Sequence, residues 1–229
     1  MIVLKRFIAA VLAAFLLTAF GTFALAMDFD SPGAVGDSSK YDELSGYEDR
    51  FRVQYDGDFG YFTTENGQGA IVVAYEGDDE LVTVPEKLNG LPVVSIGGQA
   101  FWHNEDMEEC VLPEGITSID VMAFYMCPNL KKVTIPEGVV SIGQCCFGGC
   151  AALEEVEMAS TVETISDFAF LACTSMKEIS FSGKLQSIGT SAFQMCVSLE
   201  KIILPEKVEI GEDAFTDCPK ELQIVRGSL

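Results

Sequence analysis

Hydrophobic residues in the second half of the chain fall into columns. Phenylalanine recurs at Phe101, Phe124, Phe147, Phe170, Phe193 and Phe215, and isoleucine at Ile96, Ile119, Ile142, Ile165, Ile188 and Ile210. Cysteine recurs at Cys127, Cys150, Cys173, Cys196 and Cys218. The step is 23 residues each time, and 22 only at the last. Within one period, Leu130, Val133 and Ile135 stand at the spacing leucine, two residues, aliphatic, one residue, aliphatic. The alternation Val133-Thr134-Ile135 has the two-residue period of a β-strand, so Val133 and Ile135 share an inward face. Pro136 ends that strand from a position beyond its ladder. Val139 and Ile142 point inward again from a return segment, Gly143 allows a turn, and a further short segment buries Cys146 and Phe147 before Cys150 closes the loop. One such coil cannot bury its own apolar side. Stacked coils can, with each phenylalanine packed on the ones above and below.

A period of about 20–29 residues with this apolar spacing is that of a leucine-rich-repeat solenoid. The exceptions fit the same plan. Cys110 takes the place of Val133, Val156, Ile179 and Ile202, and Cys146 that of Ala123, Ala169, Ala192 and Ala214, so both are expected to be buried. Solenoid ends need an atypical cap. Residues 51–95 read as a β-rich N-terminal cap, with Tyr61–Thr64 and Ala70–Tyr75 on either side of an Asn66-Gly67 hairpin signal. The repeats proper run over 96–218, and 219–229, with the last strand Leu222–Val225, read as the C-terminal cap.

The front of the chain follows other rules. Lys5 and Arg6 precede a charge-free run from Phe7 to Ala26 that closes on Ala24-Leu25-Ala26. A basic start, an apolar middle and a small-residue ending make residues 1–26 a secretory signal peptide. The run is also long enough to remain as a membrane anchor. Residues 27–50, rich in Gly, Ser, Pro and Asp, read as a flexible acidic linker.

The stretch Ile135-Pro-Glu-Gly-Val-Val-Ser-Ile-Gly143, followed by Phe147 and Cys150, resembles the repeat of the BspA-like leucine-rich-repeat family of bacterial surface and secreted proteins. The resemblance covers about residues 81–222, and Ala70–Gly77 followed by Val82–Pro85 looks like that family's lead-in. It implies a right-handed solenoid with a parallel sheet on the concave face. On the convex side it implies short strands, 3-10 turns or short helical turns. It also implies protein or surface binding, often adhesion to host or neighbouring cells. The family has no catalytic motif to carry over.

Charge narrows the partners. The formal net charge is −21, and loss of Lys5 and Arg6 with the signal would take it to −23. Such a surface repels nucleic acid and anionic lipid and favours basic partners. Eight cysteines in a secreted chain would ordinarily suggest disulfides. Here five form one core-facing column, so they are expected to be reduced and structural. Cys145 is different: its column holds Met122, Phe168, Ser191 and Asp213, which makes it a partly exposed, reactive candidate. No paired Cys-x-x-Cys clusters support zinc. Asp56-Gly-Asp58 and Asp78-Asp-Glu80 lack calcium-loop spacing and read as turns. The single histidine, His103, sits at a variable turn position with no nucleophile motif, so neither an enzyme nor a cofactor is expected.

Two surfaces remain as candidate sites. The strand face presents Val111, Thr134, Glu157, Ser180 and Ile203 outward, with Glu154, Glu155 and Glu157 as an acidic patch. One edge carries Trp102, Tyr125 and Leu171 as an aromatic and apolar stripe. The expected function is a secreted or cell-surface module that binds a protein or cell-surface partner, such as a basic protein or host extracellular matrix. The alternative is a structural spacer with no ligand of its own. Oligomeric state is not legible.

Overall fold

The computed structural model describes residues 52–227. The signal segment 1–26 and the linker 27–50 lie outside them. Among the described residues there is no helix, and so none long and apolar enough to cross a membrane.

The chain enters through three antiparallel strands, Gln54–Asp56, Phe59–Thr63 and Ala70–Tyr75. The loop between the second and third is closed by its own polar groups. Thr64 Oγ1 accepts from the Gly69 amide at 2.9 Å, Asn66 Oδ1 accepts from Gln68 N at 3.0 Å, and Gly67 adopts φ +71°. Ala70–Tyr75 then pairs in parallel with Leu91–Ile96, and coiling begins. Beyond it the two-residue segments Ser118–Ile119, Ser141–Ile142, Thr164–Ile165, Ser187–Ile188 and Glu209–Ile210 add one parallel rung per coil. The result is a ten-stranded sheet without a break. The return segment, read from sequence only as a path back across the core, therefore carries the longest ladder.

The leucine-type strands make two sheets, not one. Leu81–Thr83, Glu109–Val111, Lys132–Thr134 and Glu155–Glu157 form the first. Glu178–Ser180, Lys201–Leu204 and Gln223–Arg226 form the second. One column runs Glu109, Lys132, Glu155, Glu178, Lys201, and its in-register neighbours are of opposite sign except where Glu155 would face Glu178. The ladder stops at that step, as expected for like charges directly opposite each other. The interruption is local. Ser175 N still reaches Ala151 O at 3.1 Å on one side, and Ser182 Oγ reaches Ser160 O at 2.7 Å on the other.

Away from the leucine-type strands, each coil carries the short strands expected there, the two-residue serine–isoleucine type, and on its remaining side a run of turns with its own cross-coil hydrogen bonds. Met122 N, Phe124 N and Met126 N donate to Gln144 O, Cys146 O and Gly148 O at 2.8–2.9 Å. The intervening amides bond within the coil, Tyr125 N to Met122 O at 3.0 Å. This geometry places two residues of every coil in the left-handed region. One column is Gln99, Met122, Cys145, Phe168, Ser191 and Asp213; the other is His103, Met126, Gly149, Ala172, Met195 and Asp217. A side chain there costs about 1–2 kcal/mol in isolation, and the satisfied amides offset it.

The phenylalanine column is the centre of the core. Phe101, Phe124, Phe147, Phe170 and Phe193 are buried, with successive centroids 4.8–5.3 Å apart and planes within 6–11° of parallel. At the N-terminal end Tyr75 lies 5.7 Å from Phe101, and Phe59 lies 4.9 Å from Tyr75, so the hairpin extends the stack. At the other end Phe215 is half-buried and meets only Phe193, at 5.7 Å. Phe147→Ala should cost about 3–5 kcal/mol in urea unfolding, and Phe215→Ala distinctly less. Equal losses would contradict a stack covered at one end only.

Candidate functional sites: the strand face and the turn edge

The strand face is divided. Register joins Val111, Thr134 and Glu157 in one row, and Ser180 and Ile203 in another, with the sheet interruption between them. Its charges are largely engaged with each other. Lys132 Nζ lies 2.8 Å from Glu157 and 3.2 Å from Glu155, Thr134 Oγ1 donates to Glu157 at 2.9 Å, and Lys201 meets Glu178 at 2.8 Å. The Lys132 hydrogen bond, then that of Thr134, holds the Glu157 carboxyl below its ordinary range. Hydrogen bonds to Glu157 and Glu155 raise Lys132 in turn. Of the expected acidic patch only Glu154 has no ion pair among the described residues. These pairs are exposed and contribute little to stability, yet they offset part of the face's acidity.

The turn edge is different in kind. Trp102 is 42 % exposed, while Tyr125 and Leu171 are half-buried. The Tyr125 ring lies over Gly148, where a Cβ would come within 3.0 Å of the ring carbons. Met126 leans over Gly149 in the same way. The Gly148-Gly149 pair thus lets one coil's side chains lie across the next coil's backbone. Sequence reasoning missed two residues here, Met126 (41 % exposed) and Met195 (46 % exposed). They belong to the His103 column, which varies in residue type but keeps one left-handed backbone conformation. The column is continuous through His103 N to Tyr125 O at 2.9 Å, Met126 N to Gly148 O at 2.8 Å, Gly149 N to Leu171 O at 2.7 Å, Ala172 N to Gln194 O at 2.8 Å and Met195 N to Thr216 O at 2.9 Å. Segments 98–102, 121–126, 144–149, 168–172 and 191–198 contain no charged residue. The edge is thus poor in charge through its first coils, with Asp167 at one corner and Glu212, Asp213 and Asp217 in its last coil.

The other polar candidates already have partners. His103 Nδ1 lies 3.4 Å from Glu105. Asp56 accepts from Asn89 N at 2.6 Å, and Asp79 accepts from Tyr75 Oη at 2.8 Å, so these aspartates fasten turns. Among the described residues no group of three or more His, Cys, Asp or Glu side chains could hold a metal.

The profile of the BspA-type leucine-rich repeat region matches residues 94–221 in six copies. The chain belongs to this family. Solved leucine-rich repeat proteins share the fold. The BspA-type chain is 24 % identical to that of T. pallidum, with TM-score 0.66 over 75 % of this chain and 92 % of that one. It is 24 % identical to one from Bacteroides ovatus, with TM-score 0.60 over 76 % of this chain and 53 % of that one, so it spans about half that relative's length. No curated protein sequence matches the chain.

The cysteine column of this BspA-type repeat has a role beyond filling volume. Cys127, Cys150, Cys173, Cys196 and Cys218 each direct Sγ to the carbonyl of the phenylalanine one coil back, Phe101, Phe124, Phe147, Phe170 and Phe193, at 3.0–3.2 Å. A thiol is a weak donor, but alanine would offer none and serine would bring a more strongly hydrated group into the core. All eight cysteines are free. Burial pushes the Cys196 thiol up to about 12. Cys145 is partly exposed, but burial and then the nearby Asp167 raise its thiol too. The partly exposed position is the expected one, and the raised thiol means that the thiolate forms less readily than on a free cysteine. Iodoacetamide on the native protein should modify Cys145 and Cys218, with the Cys145 rate rising only at a pH above that of a free thiol. Cys110, Cys127, Cys146, Cys150, Cys173 and Cys196 should react only in urea, as read by peptide mass spectrometry. Rapid native labelling of these six would contradict the buried column.

Proposed function

We propose that this BspA-type chain is a secreted or cell-surface module that binds a protein partner through its charge-poor turn edge, in an adhesive role. The observation that carries this reading is the contrast between the two surfaces. The strand face ties its charges up in pairs with one another, Lys132 bridging Glu155 and Glu157. The turn edge exposes Trp102, Met126 and Met195 on turn segments that themselves carry no charge. Exposed aromatic and methionine side chains are suited to anchor a partner. The acidic surroundings would favour a partner with a basic rim, such as an extracellular-matrix protein. The basic and apolar start of the chain, residues 1–26, supports export. No cofactor enters this reading, and His103, paired with Glu105 on an exposed turn, gives it no catalytic base with a nucleophile.

The test is binding of the full chain to a panel of extracellular-matrix proteins and bacterial surfaces. Trp102→Ala is expected to weaken saturable binding by roughly 30-fold, the effect of losing an anchor worth about 2 kcal/mol. Met126→Ala should weaken it less, and Glu157→Lys should leave it unchanged. Loss in Glu157→Lys alone would move the site to the strand face. No binding to any member of the panel would favour the spacer.

A further inference from the structure

The N-terminal cap holds two Asn-Gly pairs, Asn66-Gly67 and Asn89-Gly90. Such a pair is chemically labile. The peptide nitrogen that follows the asparagine can attack the side-chain carboxamide, and glycine, with no Cβ, leaves the approach open. As sequence the two pairs are equivalent. Their hydrogen bonds separate them.

Asn89 is fastened in place. Its Nδ2 donates to Tyr55 O at 3.2 Å and to Tyr61 Oη at 3.1 Å, and its N–H donates to Asp56 at 2.6 Å. Tyr61 is buried, so the carboxamide is anchored against the core. Turning Asn89 Cγ toward Gly90 N breaks both side-chain bonds. Asn66 is held the other way round, by its oxygen, in a loop whose residues Glu65 to Gln68 are exposed. Its Oδ1 accepts from Gln68 N at 3.0 Å and from Thr64 Oγ1 at 2.7 Å. The Gln68 bond folds the carboxamide back over the intervening Gly67 nitrogen, as an Asx turn does. The same two donors face the oxygen on which negative charge develops when Cγ is attacked, the arrangement of an oxyanion hole. Gly67 has φ +71°, and a Cβ there would meet nothing within 4 Å, so its nitrogen is unobstructed. One bond opposes the reaction, Gly67 N to Thr64 O at 2.8 Å, and it lies in the exposed loop.

We propose that Asn66 is a self-modifying site. Gly67 N closes on Asn66 Cγ, the Cγ–Nδ2 bond breaks, and ammonia leaves carrying the Gly67 proton. The succinimide ring so formed takes up water and opens to aspartate or isoaspartate. Either product adds a negative charge at the hairpin tip. Isoaspartate also lengthens the backbone inside the loop that Thr64 N and Gly69 O close at 2.9 Å. This hairpin carries Phe59 and Tyr75 onto Phe101. The repeats themselves hold no Asn-Gly pair. Ageing therefore acts on the cover of the first coil. The full chain, incubated at neutral and mildly alkaline pH, is followed by peptide mass spectrometry and isoaspartate detection. Asn66 should convert at least about tenfold faster than Asn89, whose two side-chain bonds must break first. The rate should rise with pH, which favours loss of the Gly67 proton. In urea, where both loops are lost, the two sites should convert at similar rates. Thr64→Val removes one donor to Oδ1 and should slow conversion several-fold; a merely bracing Thr64 would instead leave a looser, faster loop. Asn66→Gln should abolish conversion at that position. Asn89 converting as fast as Asn66 in the native protein, conversion at neither site, or acceleration in Thr64→Val would each overturn the proposal.

Discussion

Every coil must present its backbone to the next at the same rise on all of its sides. This constraint shapes the rest of the molecule. A buried peptide group without a partner is costly, and turns within a coil satisfy only some of its amides, such as Tyr125 N on Met122 O. The Ser141–Ile142 rung, the Lys132–Thr134 rung and the turn run 122–126 each send hydrogen bonds to a neighbouring coil. A constant period keeps these ladders in step. Given that step, one apolar side chain per coil stands over the same residue of the coil before, and a stack of near-parallel phenylalanine rings follows. The cysteine thiols then meet the phenylalanine carbonyls one coil back.

What was legible in the sequence follows from the same constraint. Phe147, Ile142 and Cys150 have the same surroundings in every coil, so the residue type repeats and the column is visible. The His103 column repeats in backbone conformation but not in chemistry: His103, Met126, Gly149, Ala172, Met195 and Asp217 share a left-handed φ and little else. Its exposed methionines could not be found by matching residue types. A rule that two columns four residues apart avoid β-branched side chains would have been the signal. The break in the strand face was written in the alternation of Glu109, Lys132, Glu155, Glu178 and Lys201. It became readable only with the register, because like charges matter when they are directly opposite.

The two candidate surfaces separate for a physical reason. Residues on the leucine-type strands stand side by side at the strand spacing, close enough for Lys132 to reach two carboxylates of the next coil. A face built this way turns its charges toward one another. The turn edge has left-handed corners and small residues such as Gly149 and Ala172. It lets long apolar side chains lie flat on the neighbouring coil, still partly open to solvent.

The break between Glu157 and Ser180 has a mechanical consequence. Stiffness in a stacked coil comes from cross-ties distributed around its circumference. Here the return and turn sides are tied straight through while the third keeps only the bonds that flank its strand, Ser175 N to Ala151 O and Ser182 Oγ to Ser160 O, so a bending load is borne unequally at that level. The solenoid will yield there first, opening like a book whose spine is the uninterrupted serine–isoleucine sheet. Trp102 and Met126 lie on one side of this level and Met195 on the other, so any bending there changes the spacing along the turn edge.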